Sequence, residues 1–432
     1  MKLKEIGDQV IVLTGATSGI GLTTARMAAK QGARLMLIAR NEQALRDLTN
    51  EINNSGGIAQ YHAADVANEA DLREAARRTV EAWGRIDTWV NDAGVAIYGK
   101  LVEISEDDAR RLFDTDFWGV VNGSRVAVDY LRENGGALIN LGSEVSDAPV
   151  PLIGIYAAAK HAVKGFTDAL RMELEADNLP ISVTLIKPTS IHTPFVENAR
   201  NYLPFEPMVP APVYSPDLVA EAILYCAQNR VRDFFVGEMA AIHSGMASYT
   251  PRLNDKFMEW TAESMQDSGK PAAAGRRDGL HHSNSNLRER GSDDRFVMER
   301  SVYQKVKMHP MLTAGLFAGG GIAVAALIAS RIAKLDQTEF HTNDGMRLGQ
   351  GNKENEMNRN MDIAEHMEVV GSDGAHVGTV DHLEGDQIKL TKDDSTDGRH
   401  HRIPVNDVES VDRNRVMLSQ TAQQAKAAWQ NA

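Results

Sequence analysis

The sequence has little of several residue types, and each shortage limits what the protein is. Its only cysteine is Cys226, so no disulfide forms within the chain and the fold does not require an oxidising compartment. Acidic residues outnumber basic ones, and the formal net charge of -13 argues against a nucleic-acid partner. Residues 1–8 lack the pattern of a signal peptide, and we expect a cytoplasmic protein.

The composition that is present is that of a folded protein with more than one domain. Hydrophobic residues make up 43% and charged residues 24% of 432 residues, a length that exceeds one ordinary domain. Between residues 9 and 240, short aliphatic runs alternate with longer amphipathic stretches, which predicts a doubly wound α/β Rossmann fold with a parallel sheet. The predicted strands are 10–13, 34–39, 60–64, 88–91, 137–141, 181–186 and 234–236.

The second part of the chain changes character several times. Residues 268–295 are polar with almost no apolar periodicity, which is typical of a linker. Residues 310–330 carry no charge over a length that suffices to span a bilayer, although their many glycines and alanines also permit a buried or surface-docked helix. The predicted organisation is a first domain at 1–260, a linker at 261–309, a membrane-associated helix at 310–335, a linker at 336–360 and a small β domain at 361–432.

The small β domain is predicted from short alternating runs separated by turn residues. It contains no catalytic constellation, so a binding or regulatory role is expected for it. Its predicted strands and closing helix are 367–370, 377–382, 387–391, 415–418 and 420–429.

A glycine-rich motif directly follows the first predicted strand and opens the first predicted helix. Glycines let the backbone approach a pyrophosphate, and a helix N-terminus offers unpaired N–H groups to it. A tight strand-to-helix turn is the alternative, which three glycines in this context make less favoured. The predicted dinucleotide-binding residues are Thr14, Gly15, Thr17, Ser18, Gly19, Ile20 and Gly21.

Residues at the ends of the next predicted strands extend this cofactor site. Arg40 ends the second strand, where a cation favours a 2′-phosphate and hence NADP(H) over NAD(H); a solvated arginine is the alternative. We expect Asp65 and Val66 beside the adenine. The residues predicted to line the cleft after the fourth strand are Asn91, Ala93 and Gly94.

The candidate catalytic residues are Ser143, Tyr156 and Lys160. Tyr156 and Lys160 are four residues apart in an alanine-rich segment that favours a helix, so their side chains share one face. An ammonium beside a phenol lowers the pKa of the phenol, which makes tyrosine an acid or base for carbonyl or alcohol chemistry. Ser143, after the fifth strand, would donate a hydrogen bond to the substrate oxygen.

On these motifs, residues 1 to about 246 resemble the classical short-chain dehydrogenases/reductases. The resemblance implies an NADP-dependent oxidoreductase that transfers hydride between nicotinamide and a carbonyl or alcohol substrate. It also implies that Tyr156 exchanges the proton, that Lys160 holds the nicotinamide ribose, and that the protein is a homodimer or homotetramer. The implied nicotinamide contacts are Pro188, Thr189, Ile191 and Thr193.

The sequence departs from the family at three positions. Asp116 replaces an asparagine whose main-chain carbonyl belongs to a proton relay, so aspartate can keep the role while stabilising the Lys160 ammonium. Thr189 replaces a glycine and adds a side chain near the nicotinamide. Asp92 in place of a second asparagine is a milder change.

Two further segments bear on function. Residues 194–216 resemble the family's substrate lid, and their prolines and aromatics favour an apolar substrate, although a surface loop packed on itself is equally consistent. The C-terminal domain resembles a bacterial family of unknown function with a PRC-barrel-like fold. The paired histidines, 281–282 and 400–401, lack partners at metal-binding spacing, so no metal is predicted.

Two hypotheses about function remain open at this stage. The protein is either an active NADP-dependent reductase or dehydrogenase, or a cofactor-sensing binding module in which the β domain passes on the cofactor state. The complete set of Ser143, Tyr156 and Lys160 favours the enzyme, because a module has no chemical need of all three. Asp116 and Thr189 are the support for the module.

Overall fold

The computed structural model describes residues 2–273, 275–283, 287–308, 363–384, 387–392, 400–412 and 415–428. The chain divides into two units, Met1–Ala325 and Ala326–Ala432.

The first unit is built on a seven-stranded parallel sheet in the order β11-β7-β6-β4-β1-β2-β3. Its central strands are mostly apolar because helices cover both faces, and every residue of β1 is buried. This confirms the predicted α/β fold. The strands are β1 Val10–Thr14, β2 Arg34–Ala39, β3 Ile58–Ala63, β4 Thr88–Asn91, β6 Gly136–Leu141, β7 Ile181–Pro188 and β11 Asp233–Val236.

Helices pack on both faces of this sheet and close two apolar cores, one on each side. A π-helical turn, Asp114–Trp118, lies between α4 and α5 and carries Asp116. The helices of this part are α1 Gly19–Lys30, α2 Glu42–Asn54, α3 Glu69–Trp83, α4 Glu106–Phe113, α5 Gly119–Leu131, α6 Gly154–Ala176, α7 Phe195–Asn198 and α8 Pro216–Gln228.

The strand order reverses between β1 and β4, which are neighbours in the sheet although β2 and β3 separate them in sequence. At such a switch point the loops after the two strands diverge and leave a cleft at the carboxyl edge of the sheet. Short strand pairs border this cleft. They are β5 Ile97–Tyr98, β8 Arg200–Asn201, β9 Phe205–Pro207 and β10 Val213–Tyr214.

The segment predicted to be a linker, 261–309, packs on the rest of the first unit wherever the structure describes it, with β12 paired to β9 and β13 paired to β10. The segment lacks apolar periodicity because ion pairs and carbonyl contacts of its arginines hold it, and Leu280 is its fully buried apolar anchor. Its elements are α9 Glu238–Tyr249, α10 Pro251–Gln266, β12 Asp267–Pro271, β13 Val297–Met298 and α11 Val302–Met308.

The second unit is a six-stranded sheet in the order β17-β16-β15-β14-β19-β18 around its own apolar core. The four predicted strands are present, whereas β17 and β18 were not predicted. Its elements are β14 Glu368–Val370, β15 His376–Glu384, β16 Gln387–Leu390, β17 Arg402–Pro404, β18 Val408–Asp412, β19 Arg415–Leu418 and α12 Ala422–Ala428.

Within the described parts of the chain, no helix is long and apolar enough to cross a membrane. The predicted membrane-associated segment, 310–335, lies outside the described residues. It therefore stays a prediction.

Candidate active site

The glycine-rich motif forms the turn between β1 and α1. Gly15 and Gly19 have φ angles of +71° and +53°, a backbone conformation that favours glycine. A Cβ on Gly21 would overlap the Gly15 carbonyl oxygen and lie 2.7 Å from the Asp92 carboxylate. The motif is thus bare backbone that leads into a helix N-terminus, and this arrangement fits an anionic pyrophosphate.

The turn after β4 is fixed against the glycine motif. The Thr14 hydroxyl accepts hydrogen bonds from the N–H groups of Asp92 and Ala93, at 3.0 and 3.1 Å. Burial raises the pKa of Asp92 to about 7, although Lys160 and the Gly21 N–H group oppose the rise. An acid therefore occupies the place of the family's second asparagine at this turn.

Asn91 lies behind the cleft rather than in its lining. Its amide donates to the Asn140 carbonyl oxygen at 2.8 Å, and its own carbonyl oxygen accepts from the Trp89 indole at 2.9 Å. The predicted lining role of Asn91 is corrected accordingly. The strand direction places its side chain in the buried polar network between β4 and β6.

Tyr156 and Lys160 lie on the first turns of α6, on the face that is turned to the cleft. The Lys160 ammonium lies 5.5 Å from the centre of the Tyr156 ring and donates to the Leu141 carbonyl oxygen at 3.0 Å. The Phe195 ring packs edge-on against Tyr156, with 5.3 Å between ring centres. The shared helix face that the spacing predicts is present in the structure.

Ser143 faces the same phenol from the loop after β6. Its hydroxyl caps a short 3₁₀ turn by accepting the Val145 N–H group at 3.3 Å, and it also hydrogen-bonds Tyr156. The loop after β6 and the first turns of α6 thus bring a hydroxyl, a phenol and an ammonium together at one end of the cleft.

Asp116 contacts this group through its side chain. One carboxylate oxygen accepts the Val95 N–H group at 2.8 Å, and the other lies 3.5 Å from the Lys160 nitrogen. The side chain is fully buried. Burial raises the pKa of Asp116 to about 6 although Lys160 opposes the rise.

The pKa of the Tyr156 phenol lies well above its ordinary value. Burial is the largest cause and the negative charge of Asp116 the second, while the Ser143 hydrogen bond opposes them. A lowered phenol pKa, which the spacing of Tyr156 and Lys160 predicts, is therefore not found. The reason is that burial disfavours the phenolate, and the nearby carboxylates of Asp116 and Asp92 disfavour it further.

Thr189 has a partner that the sequence did not reveal. Its hydroxyl donates to the Glu144 carboxylate at 2.8 Å, and a nitrogen of His243 lies 3.8 Å from the same carboxylate. Glu144 directly follows Ser143. Thr189, which stands where the family has glycine, therefore makes a contact that fixes the loop that carries Ser143. The Lys187 ammonium, two residues before Thr189, forms an ion pair with the Asp147 carboxylate at 2.8 Å, and Asp147 lies in the same loop as Glu144.

Arg40 and Asp65 lie at the other end of the cleft. The Arg40 guanidinium donates to the carbonyl oxygens of Leu280, at 3.0 Å, and Gly279. Asp65 pairs with Arg111 at 2.6 Å. Both residues line the cavity, and their partners come from a segment and a helix that the sequence did not connect to the site.

The end of the cleft beside Tyr156 and the end beside Arg40 belong to one cavity of about 290 Å³. Thr14, Gly21, Asn91 and Asp116 support it from behind. Its end beside Tyr156 is largely apolar, with Tyr98, Val150, Ile153, Phe195 and Val209 in its wall. The other predicted site residues line it, namely Gly15, Thr17, Ser18, Gly19, Ile20, Arg40, Asp65, Val66, Ala93, Gly94, Ser143, Tyr156, Lys160, Pro188, Thr189, Ile191 and Thr193.

Among the described residues, Asp107, Asp108 and His281 lie close enough to share a cation. Asp108 accepts hydrogen bonds from His281 and from the Tyr202 hydroxyl, each at 2.7 Å, and pairs with Arg200 at 3.1 Å. We interpret the group as an ion pair. The absence of a metal stays a prediction.

Comparison with known proteins agrees with this architecture. Residues 9–203 match the family described as short chain dehydrogenase. The uncharacterized oxidoreductase YxnA of Bacillus subtilis is 41% identical over 322 residues, which cover 74% of this chain and 90% of that protein. The 11-beta-hydroxysteroid dehydrogenase A of Sesamum indicum is 35% identical over 192 residues, which cover 44% of this chain and 54% of that protein.

A solved structure shows the same fold. It is a short chain dehydrogenase/reductase from Burkholderia phymatum in complex with NAD, with a TM-score of 0.52 and 23% identity over 59% of this chain and 96% of that one. The second unit matches, at residues 363–426, an uncharacterized protein family conserved in bacteria, DUF2171. This match fits the predicted small C-terminal domain, while its PRC-barrel-like fold stays a prediction.

The parallel sheet, its switch-point cleft and these relatives define an oxidoreductase of the Rossmann type. The chain belongs to the short-chain dehydrogenase family.

Proposed function

We propose that the protein is an NADP(H)-dependent oxidoreductase that converts a carbonyl group to an alcohol or the reverse, with Tyr156 as the general acid or base. The observation that carries this proposal is the convergence of Ser143, Tyr156 and Lys160 on the cavity that the glycine motif opens. When bound, the nicotinamide cofactor supplies or accepts the hydride. The chain's own residues orient the substrate and move the proton.

Each side chain has a distinct part in this chemistry. Ser143 hydrogen-bonds the substrate oxygen as its charge changes, and Tyr156 donates the proton to that oxygen in reduction or removes it in oxidation. Lys160 stabilises the phenolate by charge. Asp116 positions Lys160 from behind the cavity. The apolar wall around Phe195 supports an apolar substrate.

The preference for NADP(H) rests on charge at the adenosine end. Arg40 and Arg111 lie near each other with Asp65 as their acidic neighbour, and burial together with Arg111 lowers the pKa of Arg40. A 2′-phosphate would add negative charge where two cations meet one acid. The preference is tested by the ratio of the dissociation constants of NADPH and NADH.

We also propose that the protein assembles as a homodimer or homotetramer through α5 and α6. Trp118 and Met172 are exposed large apolar side chains near and on these helices, which supports a contact there. Light scattering coupled to gel filtration gives the mass that tests this proposal.

The activity is tested by following NADPH and NADH consumption by the full chain over a panel of aldehydes, ketones and quinones. The proposal predicts turnover that is faster with NADPH. Binding of NADPH without turnover of any substrate would favour the alternative, a cofactor-sensing binding module, and absence of binding by either nucleotide would contradict both.

A further inference from the structure

A polar segment crosses the rim of the cofactor cleft between β12 and β13. We call its described residues, 275–283 and 287–295, the strap. Leu280 anchors the strap in the apolar cluster that contains Tyr98 and Leu112, and this side chain is fully buried. A segment without apolar periodicity is therefore docked at a definite place on the catalytic unit.

The strap contacts the glycine motif directly. The Gly19 N–H group, at the N-terminus of α1, donates to the Arg288 carbonyl oxygen at 2.9 Å. Further along the strap, Gly291 lies so close to Thr193 that a Cβ on it would be 3.3 Å from the Thr193 carbonyl oxygen. The strap thus bridges from the phosphate-binding turn to the residues after β7.

The strap also holds the adenosine end of the cleft. The Arg40 guanidinium donates to the carbonyl oxygens of Gly279, Leu280 and His282, the last at 3.4 Å. Arg111 donates to the Leu280 carbonyl oxygen as well, at 3.2 Å. Three carbonyl groups within four residues of the strap backbone therefore face the cations that we assign to the 2′-phosphate.

A third set of contacts ties the strap to the substrate lid. The Ser292 N–H group donates to the Glu197 carboxylate at 2.8 Å, and Arg288 pairs with the same carboxylate. The Gly279 N–H group donates to the Asn198 carbonyl oxygen at 2.7 Å. One segment thus touches the phosphate loop, the adenosine end and the lid.

We propose that the strap is the outer wall of the cofactor site and must undock before the cofactor enters or leaves. Gly279 and Ser283 line the same cavity as Gly19 and Tyr156, so a dinucleotide in the cleft lies beneath them. The contacts around Leu280 are hydrogen bonds and part-exposed ion pairs, which are individually weak and reversible. This inference rests on the proposed cofactor site.

The first test measures the dissociation rate of NADPH from the full chain by stopped-flow fluorescence. Leu280→Ala removes the buried anchor without touching the cavity, and Leu253→Ala on the exposed face of α10 is the matched control. The strap account predicts that Leu280→Ala releases NADPH about tenfold faster or more, while Leu253→Ala matches the wild type. A rate within twofold of the wild type for Leu280→Ala would overturn the proposal.

The second test uses the unaltered protein, so it does not depend on how a variant folds. Trypsin cleaves after Arg288 and Arg290 in the strap and after Arg252 in α10, and the products are separated by mass. Saturating NADPH should slow cleavage in the strap by about tenfold or more and leave Arg252 unaffected. Equal strap cleavage with and without bound NADPH would contradict the strap's role alone, whereas a chain that binds neither NADPH nor NADH would contradict the cofactor site and the strap together.

Discussion

At the scale of single residues, two acids lie near Lys160, the fully buried Asp116 and the partly exposed Asp92. Asp116 and Asp92 have pKa values raised to about 6 and about 7, mainly by burial. Lys160 opposes both rises, so the values already include its attraction. The negative charge on each acid therefore costs stability in the folded protein at neutral pH, and this cost is the physical consequence of replacing asparagine with aspartate at both positions.

Asp116→Asn should stabilise the protein at pH 7 by about 2–3 kcal/mol, because each unit of pKa shift corresponds to about 1.4 kcal/mol. The folded protein binds more protons at this site than the unfolded chain between the ordinary pKa of 3.8 and about 6. Wild-type stability relative to the variant thus falls as pH rises through that window and is level above it. Urea unfolding at pH 4 to 8 measures the difference, with exposed Asp114→Asn as the control. A pH-independent difference would contradict this account.

A second prediction concerns the contact between Thr189 and Glu144. Thr189→Val keeps the shape but removes the donor to a largely buried carboxylate, at a cost of about 1.5–3 kcal/mol. We expect lower stability and a kcat reduced several-fold, because Glu144 adjoins Ser143. Thr189→Ser, which keeps the hydroxyl, should stay close to the wild type. Unfolding and steady-state rates of the pair test this, and equal behaviour of both variants would refute it.

At the scale of secondary-structure elements, the β1 to α1 turn depends on the missing side chain of Gly21. Gly21→Ala should abolish detectable NADPH binding, because its Cβ would overlap the Gly15 carbonyl oxygen. Gly165→Ala is the matched control, since a Cβ there meets nothing within 4 Å. The control should gain about 0.5–1 kcal/mol from helix propensity. Fluorescence titration with NADPH measures the affinity of each variant. An affinity of Gly21→Ala for NADPH equal to that of the wild type would contradict the assigned turn.

Some of these elements can be predicted from the sequence, and others cannot. The strands β2 and β4 were predicted with their observed bounds, because buried parallel strands are short, mostly apolar runs between polar or glycine-containing segments. Ser143, Tyr156 and Lys160 were placed together by strand order and helical spacing. The sequence did not predict the strap, because polar strap residues such as Arg288 have partners nearly a hundred residues away in the chain. No local sequence pattern indicates such contacts. Glu144 was missed for the same reason.

At the scale of the whole molecule, the second unit has an apolar core of its own that includes Val369, Ile388 and Val416. The predicted membrane-associated helix, 310–335, lies outside the residues that the structure describes in either unit. The domain bounds 1–260 and 361–432, a cytoplasmic location and attachment to a membrane remain predictions about the intact chain.

Two chains test the membrane prediction, the full length and one that stops after residue 308, where α11 ends. The prediction is that the full chain stays with the membrane fraction after a salt and carbonate wash while the shorter chain does not. Both should bind NADPH equally, because the described cleft residues lie before residue 308. Equal release of the two chains would contradict the membrane helix.

The central claim is that Tyr156 transfers the proton, and the most direct measurement is NADPH-dependent turnover by Tyr156→Phe. The variant keeps the ring that packs on Phe195 and loses only the hydroxyl. The control is Tyr249→Phe, at an exposed tyrosine on α9. We predict that Tyr156→Phe binds NADPH like the wild type and loses about 10²-fold or more in kcat. Turnover by Tyr156→Phe at the wild-type rate would contradict the account.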